Sequence, residues 1–431
     1  MTLCIITNDQ KMSKNGVDFH PFLFLCYNHL GFQGVTMKIK ALLLLVIIYI
    51  SFIALGLPDA LLGSAWNLIR MDLNTSLQTL GVMTVTVYIF SILSTFNAPR
   101  ILRWFQTKWI TFVSILATGI ALVLISRVTS FYHMLFFALP LGAGAGAIDV
   151  SLNHYLASHY KAKHMNYLHS FYGVGVTLGP TIMAYTLRQE QWRLGYVIVG
   201  SILVVIALCV LFSFKLWKKE DHEERQENHR KVTIKDILKT KGALESIFIF
   251  LIYVHIESLS GVWVASYFFI EKEVNYATAA LFTTTFYLAL TVGRLLSGFL
   301  SNQLKPNVLV RIGEALLFIS GVLMIIKFDA VWIYFFIIFI FGLGAGPIFP
   351  NMMFMNSHVF EKHKLSKIIS LQMGIGYMGF GLLTPLVGLF FGKVSIFYYP
   401  FFISLMSFIL ILITISYRKH TQHLSDSIGI Q

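Results

Sequence analysis

Twelve apolar runs set the terms on which this chain can fold. They lie near 41–63, 78–97, 109–127, 131–155, 168–187 and 194–215, then near 244–269, 275–300, 308–326, 331–354, 367–391 and 396–416. Runs of about 20 apolar residues match a hydrocarbon core about 30 Å thick. In lipid no water satisfies the backbone N–H and C=O groups, so a crossing segment must be a helix or a strand of a closed barrel. These runs lack the alternation of barrel strands. A soluble domain carries about 25% charged residues. Here the charged share is 12% and the hydrophobic share 56%, so most of the surface is expected to face lipid. The expected fold class is an all-α polytopic membrane protein with 12 transmembrane helices.

The runs fall into two sets of six, and the chain repeats itself across them. Gly142, Gly144 and Gly146 in LGAGAGAIDVSLNHYLAS recur 200 positions later as Gly342, Gly344 and Gly346 in GLGAGPIFPNMMF. A duplicated hydrophobic chain points to two pseudo-symmetric six-helix halves about a central site. The expected boundaries are an N-terminal half at 37–215, a linker at 216–243, a C-terminal half at 244–416 and a tail at 417–431. Residues 1–36 resemble neither a signal peptide nor a span, and Met37 opens a cytoplasmic-type start. They are expected to be either an over-extended reading frame or a disordered tail.

Basic residues set the expected direction. Lys38, Lys40, Arg100, Arg103, Lys108, Lys161, Lys163, Lys305, Arg311, Lys362, Lys364, Lys367, Arg418 and Lys419 fall on one side, with nine more in the charged segment from Lys215 to Gly242. The other side has about one per loop, so the positive-inside rule places both termini and the linker in the cytoplasm. The same asymmetry accounts for the net charge of +13 without nucleic acid. The linker mixes both signs, and its end at Val232–Leu238 is expected to form a short helix on the membrane surface. Cys4, Cys26 and Cys209 have no metal-ligand spacing. The GAGAGA run has Ala147 where a dinucleotide fingerprint needs glycine, and no phosphate loop occurs. No cofactor, metal or catalytic constellation is expected, and the chain reads as a non-enzyme.

Ionisable residues inside spans are costly and mark function by default. Asp149 comes first. Gly142, Gly146, Asp149 and Asn153 fall on one helical stripe, so the acid faces the protein interior with Asn153 one turn away. A carboxyl sheltered from water is a candidate proton carrier, because burial penalises its charged form. Asp59 follows Pro58, which bends the first span. It is either a second cavity acid or a group solvated at the outer end. Glu257 in the seventh span shares a face with Tyr253, Gly261 and Val264, whereas His255 points elsewhere. Arg294 in the eighth span either pairs with a cavity acid as a charge-balance switch or lies near the cytoplasmic end beside a loop. His154 and His169 flank the fourth and fifth spans as proton shuttles or packed interhelical groups. Gly142, Gly146, Gly173, Gly179, Pro180 and Pro350, with Gly374, Gly376 and Pro385, read as packing and rocking positions.

GAGAGAIDVSLNHYLASHY followed by NYLHSFYGVGVTLGP resembles the fourth and fifth spans of major facilitator proteins of the fucose–proton symporter branch. YVHIESLSGVWVASYF, VGRLLSGFLSNQLKP and GLGAGPIFPNMM resemble their seventh, eighth and tenth spans. The resemblance covers about 40–420 and implies the major facilitator fold. In that family acids of the first and fourth spans are associated with proton coupling and sugar binding. The implied carry-over is Asp149, with Asn153 beside it, and less closely Asp59. The family's fourth-span acid is Glu where this chain has Asp149. The segment NAPRILRWFQTKW lacks the acid and glycines that usually build the cytoplasmic gate.

The expectation is a monomeric plasma-membrane symporter that carries a small polar solute, with a sugar as the first candidate, together with protons. Asp149 and Asp59 would serve coupling, and Asn153, Glu257, Tyr253, Trp263 and Asn351 would contact substrate. Sodium in place of protons stays open. A proton-antiport exporter of drugs or metabolites is the alternative, and a non-transporting sensor is a third class.

Overall fold

The computed structural model describes residues 39–160, 162–217, 233–301 and 303–426. The chain divides into two units, Met1–Val46 and Ile47–Gln431. In the first, the described residues 39–46 are helical, while 1–36 lie outside the described residues. The second unit contains all the elements below.

Its first six spans begin with α1 (47–56) and α2 (Leu61–Asp72). They continue through α3 (Thr79–Trp104), α4 (Thr107–Ile125), α5 (Phe131–Phe136) with α6 (Ala138–His159), α7 (Ala162–Leu187) and α8 (Trp192–Phe212). After the linker comes the short α9 (Ile234–Leu238), then α10 (Ala243–Glu271), α11 (Tyr276–Leu300) and α12 (Pro306–Ile325). The chain closes with α13 (Val331–Ala345) and α14 (Ile348–Val359), α15 (Lys362–Met378) and α16 (Thr384–Lys393), and α17 (Tyr399–Asp426). A single π-turn, Gly379–Leu383, joins α15 to α16.

Among the described residues, 11 helices are long and apolar enough to cross a membrane. The remaining span of the expected 12 is α7, which is 26 residues long. Its His164, His169, Tyr172, Thr177 and Thr181 dilute its apolar character. Large apolar side chains stand fully outward around the bundle: Phe96, Trp104, Phe136, Phe212, Phe299 and Trp332 are each more than 70% exposed. Such a surface is far beyond the apolar patches a soluble monomer tolerates. The chain is a polytopic membrane protein.

The two sets of six pack by one rule. α6 lies against α3 and α4, and α4 against α8. In the same order, α13 lies against α11 and α12, and α12 against α17. The repeated glycines carry the equivalence down to single contacts. Gly142 and Gly146 press on the Val87 and Ser91 carbonyls of α3, and Gly144 on Thr118 of α4. Gly342 and Gly346 press on Phe286 and on Gly293–Arg294 of α11, and Gly344 on Gly313 of α12. Small residues at these positions let helix backbones touch where lipid offers no hydrophobic drive to association. The halves meet through α2 with α10, α7 with α11, and α3 with α16.

The linker's end forms α9 from Thr233, whose hydroxyl caps the helix in a capping box with Asp236. Val232 lies outside the described residues.

Candidate functional site

The first span is broken at its middle. Residues 57–60 form turns in place of helix: the Asp59 N–H donates to the Gly56 carbonyl at 3.2 Å, and the Leu61 N–H to Pro58 at 3.2 Å. Pro58 has no N–H to continue the helical ladder. Interrupted spans place free backbone polarity and side chains at mid-membrane sites. Here the break delivers Asp59 into a cavity, where it is solvent-exposed.

The cavity has a volume of about 250 Å³. Asp59, Asp149, Tyr88, Tyr172, Tyr377 and His169 line it together with Thr84, Ser91 and Thr118, and Phe52, Phe380 and aliphatic side chains complete the wall. From the second half only Val262, Tyr377 and Phe380 reach it. The walls are otherwise supplied by α1 to α4 and α6 to α8.

Each acid holds a tyrosine. The Tyr172 hydroxyl of α7 donates to Asp59 Oδ2 at 2.5 Å. α7 comes so close because Gly56 and Gly175 face each other: a Cβ on Gly56 would stand 2.5 Å from the Tyr172 carbonyl oxygen. The Tyr377 hydroxyl of α15 donates to Asp149 Oδ2 at 3.2 Å. Asn153 Nδ2 donates to Asp149 Oδ1 at 2.8 Å and to the Asp149 carbonyl at 2.7 Å. Asn153 thus orients the acid and does not itself line the cavity.

The second half carries a separate charged group. Arg294 Nη2 lies 3.3 Å from Glu257 Oε2 and 3.3 Å from the Tyr253 hydroxyl. Arg294 thus pairs with an acid of α10, as one of its two expected placements had it, but that acid is not one of the cavity's. Neither Glu257 nor Tyr253 is among the residues lining the cavity. Trp263 is fully buried, packed on Phe391 at a ring distance of 5.7 Å and against Gly388. Asn351 is buried and donates to Ser297 Oγ at 2.7 Å and the Pro347 carbonyl at 2.6 Å. Both serve helix packing in this conformation, because side chains of α10 and α14 that face α11, α16 and α17 cannot also face the cavity. His255 is buried and bonded to Thr384 Oγ1 at 3.1 Å. His169 meets the Phe52 ring edge-on at the cavity. Of the packing positions, Gly173 receives Thr291 of α11 and Gly179 receives Leu57. Pro180 is buried within α7, and Pro350 lies in the first turn of α14, exposed.

Two features were available in the sequence and not drawn from it. The tyrosines Tyr88, Tyr172 and Tyr377 were lost among many aromatic residues of lipid-facing type; mid-span position on glycine-bearing helices was their signal. The second is the match between two spacings that were each read singly: Asp59 precedes Gly63 by four residues, and Glu257 precedes Gly261 by four. The first spans of the two halves therefore carry the same acid–glycine spacing.

Several contacts between halves lie at mid-depth or at the end away from the linker. Asn67 Nδ2 donates to Ser266 Oγ at 3.3 Å, Thr181 to Thr284 at 3.4 Å, and the Tyr276 hydroxyl to Met71 Sδ at 2.9 Å. Tyr88 stacks on Phe380 with centroids 5.0 Å apart. Asn67 and Thr181 lie beyond the cavity acids, so the bundle is fastened at its far end.

Comparison with known proteins agrees with this architecture. The Major Facilitator Superfamily profile matches residues 48–279 and again 248–427. The chain is 26% identical over 325 residues to Bypass of stop codon protein 6 of Saccharomyces cerevisiae, a match covering 66% of this chain and 65% of that one. It therefore spans just under two thirds of that relative's length. It is 19% identical over 388 residues to the glucose/mannose transporter GlcP of Bacillus subtilis, covering 86% of this chain and 94% of that one. The solved nucleoside transporter NupG superposes with a TM-score of 0.70 at 10% identity, covering 88% of this chain and 99% of that one. An inward-facing, occupied bacterial homolog of the human lysosomal transporter Spinster gives 0.66 at 12%, covering 88% and 96%.

Proposed function

Because the chain belongs to the Major Facilitator Superfamily, we propose that it is a membrane transporter rather than an enzyme, and within that class a proton-coupled symporter for a small polar solute of the sugar class. The observation that carries this is the pair Asp59 and Asp149 on the wall of one mid-span cavity, each bonded to a tyrosine. Intramembrane acids at a central cavity are the usual carriers of coupling protons. The cavity suits a solute of monosaccharide size that offers hydroxyl groups to the carboxylates and receives hydrogen bonds from tyrosine hydroxyls. The match to a glucose/mannose transporter over 94% of its length supports the sugar class, as does the resemblance to fucose–proton symporters. In this proposal Asp149 carries the coupling proton, Asp59 meets the solute, and Asn153 holds Asp149 in place.

The halves would rock about this site to expose it to each side in turn, Glu257 and Arg294 moving with the second half. Basic residues crowd the linker side, which supports a cytoplasmic location for that side and both termini; the plasma membrane is the proposed membrane. A single chain contains both halves and the whole cavity, so the monomer is the proposed transport unit. Export by proton antiport would use the same acids in the opposite sense.

The test uses cells expressing the protein in weakly buffered medium. Hexoses, deoxyhexoses and amino sugars are added one at a time while external pH is followed. Alkalinisation by one solute, lost in Asp149→Asn, is the expected result. No pH change with any solute would overturn sugar symport and leave export as the reading to pursue.

A further inference from the structure

The two tyrosine–acid hydrogen bonds differ in one respect. Tyr172 and Asp59 belong to the same half, so their bond can survive any movement of the halves. Tyr377 belongs to α15 and Asp149 to α6, so their bond crosses between the halves at the depth of the cavity. It exists only while those two helices stand as they do here.

The helix around Tyr377 is irregular. Two residues on, the helix passes into the π-turn Gly379–Leu383, where the Thr384 N–H reaches back to the Gly379 carbonyl. Single π-turns often mark functional positions in helices. Gly374 has open space around it, and Gly376 has only loose contact with Val254. Phe380 stacks on Tyr88 of the first half. α15 and the π-turn after it thus touch the first half through Tyr377, Phe380 and Gly381, while Gly379 stays packed on Leu251 and His255 of α10.

We propose that Tyr377 is the positioning residue through which the charge on Asp149 sets the stability of the conformation fastened at the far end. This rests on Asp149 being the coupling acid. An ionised carboxylate accepts the Tyr377 proton in a charge-assisted bond, about twice as strong as a neutral one. A proton on Asp149 weakens that bond and frees α15 to swing on the π-turn. Asp149 is faced by Tyr377 from α15 and Asn153 from its own helix. Asp59, Tyr88 of α3, His169 and Tyr172 of α7, and Tyr196 of α8 share its cavity. α4 contributes only Thr118 there among its polar groups.

Hydrogen–deuterium exchange on the purified full chain reads this without any substrate. Labelling times are scaled for the intrinsic pH dependence of amide exchange, and the segment 374–385 is followed on acidification from about pH 8 to about pH 5.5, with Asp149→Asn as the reference that cannot take up a proton at this position. In the wild type, protection of this segment is expected to fall about fivefold on acidification, the loss of one charge-assisted hydrogen bond. In Tyr377→Phe and in Asp149→Asn it is expected to be low and independent of pH. A wild-type segment whose protection ignores pH overturns the proposal, as does an unchanged pH response in Tyr377→Phe. The wild-type and Asp149→Asn comparison decides even if Tyr377→Phe fails to fold. A pH-dependent segment in a protein that moves no sugar would leave this inference standing and remove the substrate reading alone.

Discussion

Gly63 and Gly261 meet backbone to backbone where the first spans of the two halves cross: a Cβ on Gly63 would stand 2.6 Å from the Gly261 carbonyl oxygen. Each follows its acid, Asp59 or Glu257, by four residues, so the crossing sits one turn beyond the acids. Any side chain at Gly63 must push α2 away from α10. Gly63→Val is expected to weaken closure at the far end by about 1–3 kcal/mol, the usual cost of overpacking. A thiol reagent on the buried position Ser64→Cys measures it. Labelling is expected to rise roughly tenfold in the Gly63→Val background, since about 1.4 kcal/mol corresponds to tenfold.

Glu257 and Arg294 form an ion pair whose side chains are only 12% and 23% exposed. Removing one partner from a buried pair leaves a charge without compensation and costs about 3–5 kcal/mol. Residual exposure screens this pair, so the expected loss for Glu257→Gln or Arg294→Gln is smaller, about 1–3 kcal/mol. The double variant is expected to regain most of it, because two neutral groups carry no such penalty. Thermal unfolding in detergent of the four proteins gives the coupling energy directly.

The fold was legible because lipid leaves so few choices. Apolar run length, the absence of strand alternation and the glycine repeat each pointed to twelve helices in two halves, and Gly142–Gly346 pack as the repeat implies. The site was legible only where charge made it conspicuous. Asp59 and Asp149 stand out against apolar sequence, and both line the cavity. Tyr172 and Tyr377 do not stand out, since tyrosine is cheap in a span and common at interfaces. Trp263 and Asn351 show the converse. Their chemistry suits a ligand, but which face of α10 or α14 points inward depends on packing partners about 50 to 130 positions away in sequence (Ser297 for one, Phe391 for the other), which one chain without relatives does not reveal.

The repeated glycines are equivalent in place and unequal in what they touch. A Cβ on Gly344 would meet the Gly313 carbonyl at 2.7 Å and the Leu317 amide nitrogen at 3.0 Å, both rigid backbone. On Gly144 it would meet the Thr118 hydroxyl at 2.5 Å, a side-chain atom, and backbone only at the Ser114 carbonyl, 3.2 Å away. Gly344→Ala is therefore expected to cost more than Gly144→Ala, about 1–3 kcal/mol against less than about 1 kcal/mol. Melting temperatures of the two variants settle the order.

Outside the spans, Asp236 accepts hydrogen bonds from the Thr233 hydroxyl and, at 2.8 Å, its N–H, and these hold its carboxyl below the usual carboxylate range. A depressed acid stabilises the structure above its ordinary pKa and loses that contribution as pH falls through the lowered value. Helix α9 is expected to fray on strong acidification, and Thr233→Ala to fray it at neutral pH. Amide exchange over 234–238 follows both.

The two cavity acids are expected to fail in different ways. Asp59 keeps its tyrosine within one half, so its neutral variant should damage solute binding without touching the contact between halves. Asp59→Asn is expected to raise the apparent KM about 10-fold or more, the loss of a hydrogen bond to a charged group. Asp149→Asn removes the titrating group at the contact between halves while leaving an acceptor for Tyr377. It is expected to bind and exchange solute across the membrane while losing accumulation against a gradient. Counterflow and net uptake, measured side by side in proteoliposomes with the solute that alkalinises the medium, separate the two. If both variants lost counterflow and net uptake alike, the acids would act as one binding unit, and the division of labour between Asp59 and Asp149 would be wrong. If Asp149→Asn alone kept counterflow, the tyrosine that crosses between the halves would mark the coupling acid, and the one that stays within a half would mark the binding acid.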